Sequence, residues 1–322
     1  MNLYFAPMEG ITGYIYRKAH HTYFNHVDRY YSPFISANES GNFRKGERDD
    51  LLPENNPGLV LIPQLLTNKA RDFIVYAGMI KEMGYGEINL NLGCPSGTVV
   101  AKSKGSGFLA KKAELDAFLY EIFAWGEMKI SIKTRLGIAQ PEEFYALLEI
   151  FNKYPVAELT IHPRVRKDFY KNKPNLEVFR YALDHSKNPV CYNGNIFTVR
   201  QYQEFTTQFP EVGAVMMGRG LLANPGLAGE IKGGIKADKQ TLREFHDQIY
   251  SENRQVLFGE RNVLFRMKEI WFELVLMFSE SDRYAKRIRK AERLRDYEEA
   301  VASLFRDQEL IPDEEKNFEK LL

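Results

Sequence analysis

The sequence of 322 residues predicts an α/β fold, namely a (β/α)8 TIM barrel followed by a smaller all-helical domain. Eight short apolar runs alternate with segments of helical periodicity, which is typical of βαβ units and a parallel sheet. After residue 236 no further strand pattern occurs and only helical periodicity continues. We therefore place the barrel at residues 1–236 and the helical domain at residues 237–322.

Each of the eight apolar runs is short enough to form one buried strand. Together with the helical segments between them, the runs occupy about the chain length of one barrel. The predicted strands are Leu3–Ala6, Tyr30–Ser36, Leu59–Pro63, Glu87–Leu92, Lys129–Lys133, Glu158–His162, Pro189–Tyr192 and Ala214–Met217. Two of the predicted helices, within residues 68–84 and 111–126, end at a glycine. A doubly wound open sheet is the rival fold, and it is disfavoured because no G-x-G-x-x-G follows the first strand.

The composition is typical of a globular protein, with 44% hydrophobic and 27% charged residues. No run of about 18 apolar residues occurs and the N-terminus does not resemble a signal peptide, so we expect no membrane span. Two cysteines suit a reducing cytoplasm. No Cys/His cluster has zinc spacing, so no metal is expected. The net charge of +1 implies no partner by itself, and no obligate protein partner is indicated.

Polar residues and glycines collect where the predicted strands end, which in a barrel is the rim that carries the active site. These residues are Pro7, Met8, Glu9, Gly10, Gln64, Asn89, Asn91, Cys94, Lys133, Thr134, Arg135, His162, Asn193, Gly194, Asn195, Gly218, Arg219 and Gly220. Each one alone could be an ordinary solvated residue. Their occurrence at six or seven strand ends favours a functional site.

The ends of the last two strands predict a phosphate site. "NGN" and "GRG" place glycines where barrels often bind phosphate, and Arg219 adds a cation. Two glycine turns and a surface arginine are the alternative for each motif alone, but together they indicate a phosphorylated cofactor. Gln64 and Lys133 would meet the polar edge of its ring. Beside a flavin, the lysine would stabilise the negative charge of the reduced ring.

Seven motifs occur in the order and spacing of the tRNA-dihydrouridine synthases of the bacterial type, which this sequence therefore resembles. They are "APMEG", "NLNLGCPSGTVV", "KGSGF", "KTRLG", "TIHPRVRKDFY", "CYNGNI" and "VMMGRGLLANP", and they cover roughly residues 4–226. The resemblance implies a barrel that binds FMN, takes hydride from NADPH or NADH, and reduces uridine in tRNA to dihydrouridine. The helical tail is compatible with this family.

The resemblance also implies roles for the residues of the rim. The cofactor-binding residues would be Pro7, Met8, Glu9, Gln64, Lys133, His162, Asn193, Gly194, Asn195, Gly218 and Arg219. Asn91 would lie near the uracil, and Arg135 would also bind the substrate. Cys94 would be the proton donor.

Four positions depart from the pattern of that family. Asn195 replaces an acidic residue. "HPRV" at 162–165 replaces "HGRT", and "KPN" at 173–175 replaces "ADW". Glu39 is the candidate for the acidic residue that usually follows the second strand.

Cys94 is interpreted as an acid. Reduction of the C5–C6 bond of uracil needs a hydride at C6 and a proton at C5. A thiol with a pKa of about 8.5 is mostly protonated at neutral pH and can supply that proton. An inert buried cysteine is the alternative for Cys94, and it is the prediction for Cys191, which lies within the seventh strand.

A basic segment in the helical domain predicts contact with nucleic acid. Residues 283–295 hold seven basic residues and one acidic residue, whereas residues 241–322 as a whole hold 15 basic and 18 acidic residues. A uridine must be flipped out of tRNA to reach a flavin, which costs about a few kcal/mol. We hypothesise that this segment offsets the cost by following phosphates through Arg287, Arg289 and Arg293. A solvated helix face is the alternative.

Residues 283–305 are predicted to form a helix, because their apolar residues lie three or four apart on one face. These residues are Tyr284, Ile288, Ala291, Leu294, Tyr297 and Val301.

Two other functions stay open. One is a barrel FMN oxidoreductase that acts on a small molecule, such as a free dihydropyrimidine or an enoate. The basic segment and "NLGCPSG" disfavour it. The other is a non-catalytic RNA-binding protein, which the presence of Cys94, Lys133 and "GRG" disfavours.

Overall fold

Ten parallel β-strands form the central sheet of the computed structural model, which describes residues 1–38, 40–234 and 236–312. The strands are Asn2–Phe5 (β1), Arg29–Tyr31 (β2), Ile35–Ser36 (β3), Leu61–Ile62 (β4), Gln64–Leu66 (β5), Glu87–Leu92 (β6), Lys129–Arg135 (β7), Leu159–His162 (β8), Val190–Tyr192 (β9) and Ala214–Met217 (β10). The predicted barrel architecture is confirmed.

The ten strands occupy eight barrel positions because two of the predicted strands are interrupted. Pro33 lies between β2 and β3, and Pro63 separates β4 from β5. A proline has no N–H to donate to a strand ladder. Since β2 pairs with β4, β3 with β5, and β1 with both β2 and β10, the sheet closes on itself. The prediction of one continuous strand at Tyr30–Ser36 is therefore wrong. The predicted strand Leu59–Pro63 is confirmed only at Leu61–Ile62, and beyond Pro63 the same barrel strand continues as β5 from Gln64.

The other six predicted strands are confirmed, with ends shifted by no more than two residues. The largest shift is in β7, which continues to Arg135, so that Lys133 and Arg135 lie on the strand itself. Inward and outward residues alternate along each strand. In β1, Leu3 and Phe5 pack against the helices, and Tyr4 belongs to the cluster that fills the lower barrel. Cys191 is fully buried in that lower cluster, as predicted.

Helices follow most strands and cover the barrel. The α-helices are Tyr14–Tyr23 (α1), Lys45–Leu51 (α2), Ala70–Glu82 (α3), Gly97–Val100 (α4), Lys112–Trp125 (α5), Glu143–Phe151 (α6), Leu176–His185 (α7), Val199–Gln208 (α8), Arg219–Ala223 (α9), Leu227–Ile231 (α10), Lys239–Val256 (α11), Glu260–Leu274 (α12), Asp282–Lys290 (α13) and Leu294–Asp307 (α14). The predicted glycine stops are confirmed: Gly84 follows α3 at φ 96° and Gly126 follows α5 at φ 66°.

The C-terminal helices dock on the barrel through aromatic contacts. Phe245 of α11 packs edge-on against Tyr16 and Phe24 at the first barrel helix. Within the helical part, the buried Tyr297 hydroxyl accepts a hydrogen bond from Trp271 Nε1 at 2.8 Å. The division at residue 236 stays a prediction, and α11 begins at Lys239. In the described ranges, no helix is long and apolar enough to cross a membrane.

The predicted single helix over residues 283–305 is wrong, because the segment forms two helices, α13 and α14. The backbone turns at Ala291, with φ −58° and ψ 126°, and α14 starts at Leu294. The burial behind that prediction is nevertheless confirmed. All six apolar residues of the predicted face are buried, since they line the contact between the two helices and their neighbours.

Candidate active site

A network of buried amides crosses the upper barrel, because strand register places polar side chains of neighbouring strands side by side. Gln64 Nε2 donates to Asn89 Oδ1 at 2.7 Å, and Asn89 Nδ2 donates to Ser131 Oγ at 3.0 Å. Asn91 Nδ2 donates to Gln64 Oε1 at 2.7 Å. These bonds satisfy the amides and fix their orientation, which leaves the side-chain oxygen of Asn91 free for the loop after β6.

That loop carries Cys94, and its backbone is held from both sides. Asn91 Oδ1 accepts hydrogen bonds from the N–H groups of Gly93 at 3.0 Å and Cys94 at 2.9 Å. The Cys94 carbonyl accepts two more, from Ser106 N at 3.1 Å and Ser106 Oγ at 2.8 Å. The thiol itself is partly exposed. The backbone that carries the Cys94 thiol is therefore held by the barrel and by Ser106.

The "KGSGF" motif supports the Cys94 loop through close backbone packing. Gly105 has φ +56°, and a Cβ there would lie 2.9 Å from the Cys94 carbonyl oxygen and 3.0 Å from Cys94 Cβ. A Cβ at Gly107 would lie 3.0 Å from the Val100 backbone. Only glycine permits both approaches.

The Cys94 thiol is suited to act as an acid. Burial raises its pKa above the ordinary value, and the nearby Glu9 carboxylate raises it further. The Ser96 N–H, Arg135 and Lys133 oppose this shift with smaller effects. The thiol is therefore protonated at neutral pH.

Two cations lie on β7 close to that loop. Burial and the neighbouring Arg135 lower the pKa of Lys133 to about 8, and no hydrogen bond of its ammonium is recorded among the described residues. Arg135 is almost fully buried; its Nε donates to the Gly93 carbonyl at 3.0 Å and its Nη1 to the Val165 carbonyl at 3.2 Å. Arg135, predicted to bind substrate, thus ties together the loops after β6 and β8.

The ends of β8, β9 and β10 form a cationic corner, made of His162, Arg164, Asn195 and Arg219. Arg164 Nη1 donates to His162 Nε2 at 2.9 Å and to Asn195 Oδ1 at 3.2 Å. Arg219 Nη2 also donates to Asn195 Oδ1, at 3.2 Å. Because Arg164 donates to Nε2, a neutral His162 carries its proton on Nδ1.

The electrostatics of the cationic corner favour the binding of an anion. Burial lowers the pKa of His162 well below its ordinary value, and the surrounding arginines and Lys133 lower it further. Burial and Arg219 lower the pKa of Arg164 to about 10. Arg164 Nη2 is buried without a hydrogen-bond partner. A buried donor with no acceptor, among cations that repel one another, fits a phosphate group.

Glycines permit close packing of side chains beside the cationic corner. A Cβ at Gly194 would fall 2.0 Å from the Tyr192 hydroxyl oxygen, and one at Gly218 would lie 3.1 Å from Met8 Sδ. The same contact brings the loop after β1 next to the end of β10. Asn193, also predicted to bind cofactor, donates through Nδ2 to the Met216 carbonyl at 2.8 Å.

The remaining predicted residues lie around the mouth or away from it. Pro7 and Met8 are partly exposed after β1. Glu9 lines a cleft of about 740 Å³ between the mouth and helices α11 and α12. The basic residues Arg287, Arg289 and Arg293 are exposed in and after α13. Glu39 lies outside the described residues, and no cluster of metal-ligating residues occurs within them.

Comparison with known proteins identifies the family. The sequence model of the family described as "Dihydrouridine synthase (Dus)" matches residues 4–318. This chain belongs to the dihydrouridine synthase family. A "Probable tRNA-dihydrouridine synthase" of Staphylococcus aureus strain Mu50 is 28% identical over 171 residues, 51% of each chain. A "Probable tRNA-dihydrouridine synthase 1" of Synechocystis sp. is 26% identical over 283 residues, 83% of this chain and 76% of the relative. The match thus spans about half the length of the Staphylococcus aureus relative and about three quarters of the Synechocystis one.

Solved structures with a similar fold are also barrels. Morphinone reductase matches with a TM-score of 0.50 and 12% identity, over 74% of this chain and 88% of that chain. Histamine dehydrogenase from Rhizobium sp. 4-9 matches with a TM-score of 0.55 and 10% identity, over 84% of this chain and 49% of that chain. At these identities the likeness concerns the fold.

Two residues of the site had no role in the sequence prediction. Arg164 was noted only as part of a departure from the family pattern, although its place two residues after His162 puts it at the same strand end. Tyr170 was not singled out at all. Its ring lies 4.7 Å from the Arg219 guanidinium and 5.4 Å from that of Arg135. Phe169, at φ 50°, makes the turn that directs Tyr170 there, and no sequence pattern signals it.

Proposed function

We propose that this member of the family is a tRNA-dihydrouridine synthase, which reduces the C5–C6 bond of specific uridines in tRNA with FMN and either NADPH or NADH. One arrangement carries the proposal. A protonated thiol, held by its backbone at the barrel mouth, shares that mouth with a cationic corner suited to a phosphate. The family membership and the names of the relatives support the same reaction.

The residues present fit FMN. Arg164, Arg219, Asn195 and Gly194 would hold its phosphate, since Arg164 Nη2 is a buried donor without a hydrogen-bond partner and lies among other cations. Gln64 and Lys133 would face the polar edge of its ring. FMN bound there would supply a hydride for C6 of the uracil, and the nicotinamide cofactor would return the flavin to its reduced form. The other proposed cofactor contacts are Pro7, Met8, Glu9, His162, Asn193 and Gly218.

The remaining step is proton transfer from this chain. Cys94 donates the thiol proton to C5 of the uracil, and the resulting thiolate is reprotonated from solvent. Asn91 holds the Cys94 amide and faces the same cavity, so it positions the acid and contacts the uracil. Arg135 positions the same loop through the Gly93 carbonyl, and its charge lies near the substrate. Lys133 would place its positive charge beside the ring of the bound cofactor and would stabilise negative charge there.

The basic segment would bind the tRNA backbone. Arg289 and Arg293 have no ion pair recorded among the described residues, whereas Arg287 lies 3.5 Å from Glu299. Replacement of Arg287, Arg289 and Arg293 by Ala should weaken tRNA binding. It should also reduce the magnitude of the slope of log K against log salt concentration by about 2 to 3. Arg200→Ala, an exposed arginine on α8, is the matched control. An unchanged affinity and slope in the triple variant would remove this role.

The experiment that tests the function is direct. Purified protein is incubated with NADPH and tRNA lacking dihydrouridine, and the modified base is then assayed. A yellow preparation with a flavin spectrum and formation of dihydrouridine are expected. Reduction of free uracil or an enoate with no activity on tRNA would favour the small-molecule oxidoreductase instead. Binding of tRNA with no flavin and no reduction would favour a non-catalytic RNA-binding protein.

A further inference from the structure

Three phenylalanines of the helical part are strongly exposed and lie seven residues apart. Phe258, in the loop before α12, is 95% exposed, and Phe265 and Phe272 on α12 are 68% and 71% exposed. Seven residues make almost two helical turns, so Phe265 and Phe272 share one face. The opposite face of α12 is well packed, with Val263, Met267, Ile270, Trp271 and Leu274 all buried. The three rings, here called the aromatic stripe, therefore add nothing to the core.

Polar residues separate the rings of the aromatic stripe. Arg261 and Lys268 each follow a phenylalanine by three positions, and Asn262 and Glu269 follow by four. A coiled-coil seam needs a second apolar row at these positions. Its absence argues against self-association through α12. Aromatic rings interleaved with cations are instead the surface on which bases of unpaired nucleic acid stack.

Helix α12 also connects the two surfaces that the proposed function uses. On one side, Arg266 Nη1 lies 3.9 Å from the position of a Cβ on Gly10, in the loop after β1 at the barrel mouth. On the other side, Lys268 Nζ donates to the Ala291 carbonyl at 2.5 Å, at the end of α13 in the basic segment. Helix α12, which carries two rings of the aromatic stripe, thus contacts both the loop after β1 and the end of α13.

We propose that the aromatic stripe stacks on unpaired bases of the tRNA next to the uridine that is reduced. This inference rests on the proposed function. Flipping a uridine into the barrel removes a stacking partner from its neighbours. Exposed phenylalanine rings replace that partner without reading the sequence, because every base has an aromatic face.

The test compares Phe265→Ala/Phe272→Ala with wild type in binding to a tRNA transcript that lacks dihydrouridine. Loss of one stacking ring weakens binding of single strands by roughly 5- to 150-fold. We expect Kd to rise at least tenfold while the salt slope stays unchanged, because no charge is lost. Phe265→Trp/Phe272→Trp should restore the affinity. Tyr120→Ala, which removes a ring that is 69% exposed on the barrel helix α5, should bind like wild type.

The outcomes separate the two proposals. If wild type binds and reduces tRNA but the double alanine variant binds within twofold of it, the aromatic stripe has no role in RNA binding and only this inference fails. If wild type neither binds nor reduces tRNA, the proposed function fails and this inference with it. Sedimentation decides the remaining case. A wild-type dimer that becomes monomeric in the variant, with tRNA affinity kept, would assign the aromatic stripe to self-association and overturn the inference.

Discussion

Replacement of Gly105 by alanine should displace the thiol of Cys94, the proposed acid, while Cys94 itself is kept. The residue has φ +56°, where an L side chain costs roughly 1–2 kcal/mol. The new Cβ would lie 2.9 Å from both the Cys94 carbonyl oxygen and Val99 Cγ1, so the Cys94 loop must shift. We expect the free energy of unfolding to fall by about 2 to 4 kcal/mol. The positive φ accounts for part of this loss, and the close contacts of the new Cβ account for the rest. A shift of the thiol by about 1 Å should lower the rate of uridine reduction roughly 100-fold.

The assay combines single-turnover uridine reduction, flavin absorbance and thermal unfolding. Gly105→Ala should keep its flavin, because the cationic corner lies on other strands. Gly97→Ala is the matched control on the same loop, since its Cβ would meet nothing within 4 Å. Gly97 is also the first residue of α4, so alanine there should be neutral or slightly stabilising. Wild-type rate and stability in Gly105→Ala would refute the claim that close packing behind Cys94 sets the position of its thiol.

Three further predictions concern the groups around the mouth. Cys94→Ala should retain flavin while uridine reduction falls roughly 100- to 10,000-fold, as for loss of a general acid, and full activity would exclude Cys94 as the proton donor. Arg164→Met should raise the Kd of FMN roughly 10- to 100-fold in a fluorescence titration, and an unchanged Kd would move the phosphate site elsewhere. Because burial and Arg135 lower the pKa of Lys133 to about 8 from an ordinary 10.5, the unfolded chain binds more protons between these values. The unfolding free energy of the flavin-free protein should therefore rise with pH across that window, by about 3 kcal/mol in denaturant titrations. Lys133→Met should remove the rise.

The errors in the predictions from sequence share one cause. A local pattern of apolar residues does not show where the backbone of a strand or helix is interrupted. The apolar run of Tyr30–Ser36 looks continuous, yet Pro33 breaks its ladder into β2 and β3. The face of residues 284–301 is apolar at helical spacing, yet the backbone turns at Ala291 and buries the same residues between two helices. In both cases the sequence pattern predicted which side chains are buried. Whether the strand or the helix is continuous depended instead on where the neighbouring elements pack.

The sequence by itself determined the βα alternation, the barrel and the strand end at which Cys94 lies, because these follow from local periodicity and turn residues. It also indicated a phosphate site through the glycines at 194 and 218. Only the tertiary structure decided which donors meet there. Arg164 and Arg219 converge on Asn195 from 31 and 24 residues away, and Ser106 holds the Cys94 carbonyl from 12 residues away. Such contacts depend on strand register and on barrel closure, which are properties of the whole sheet.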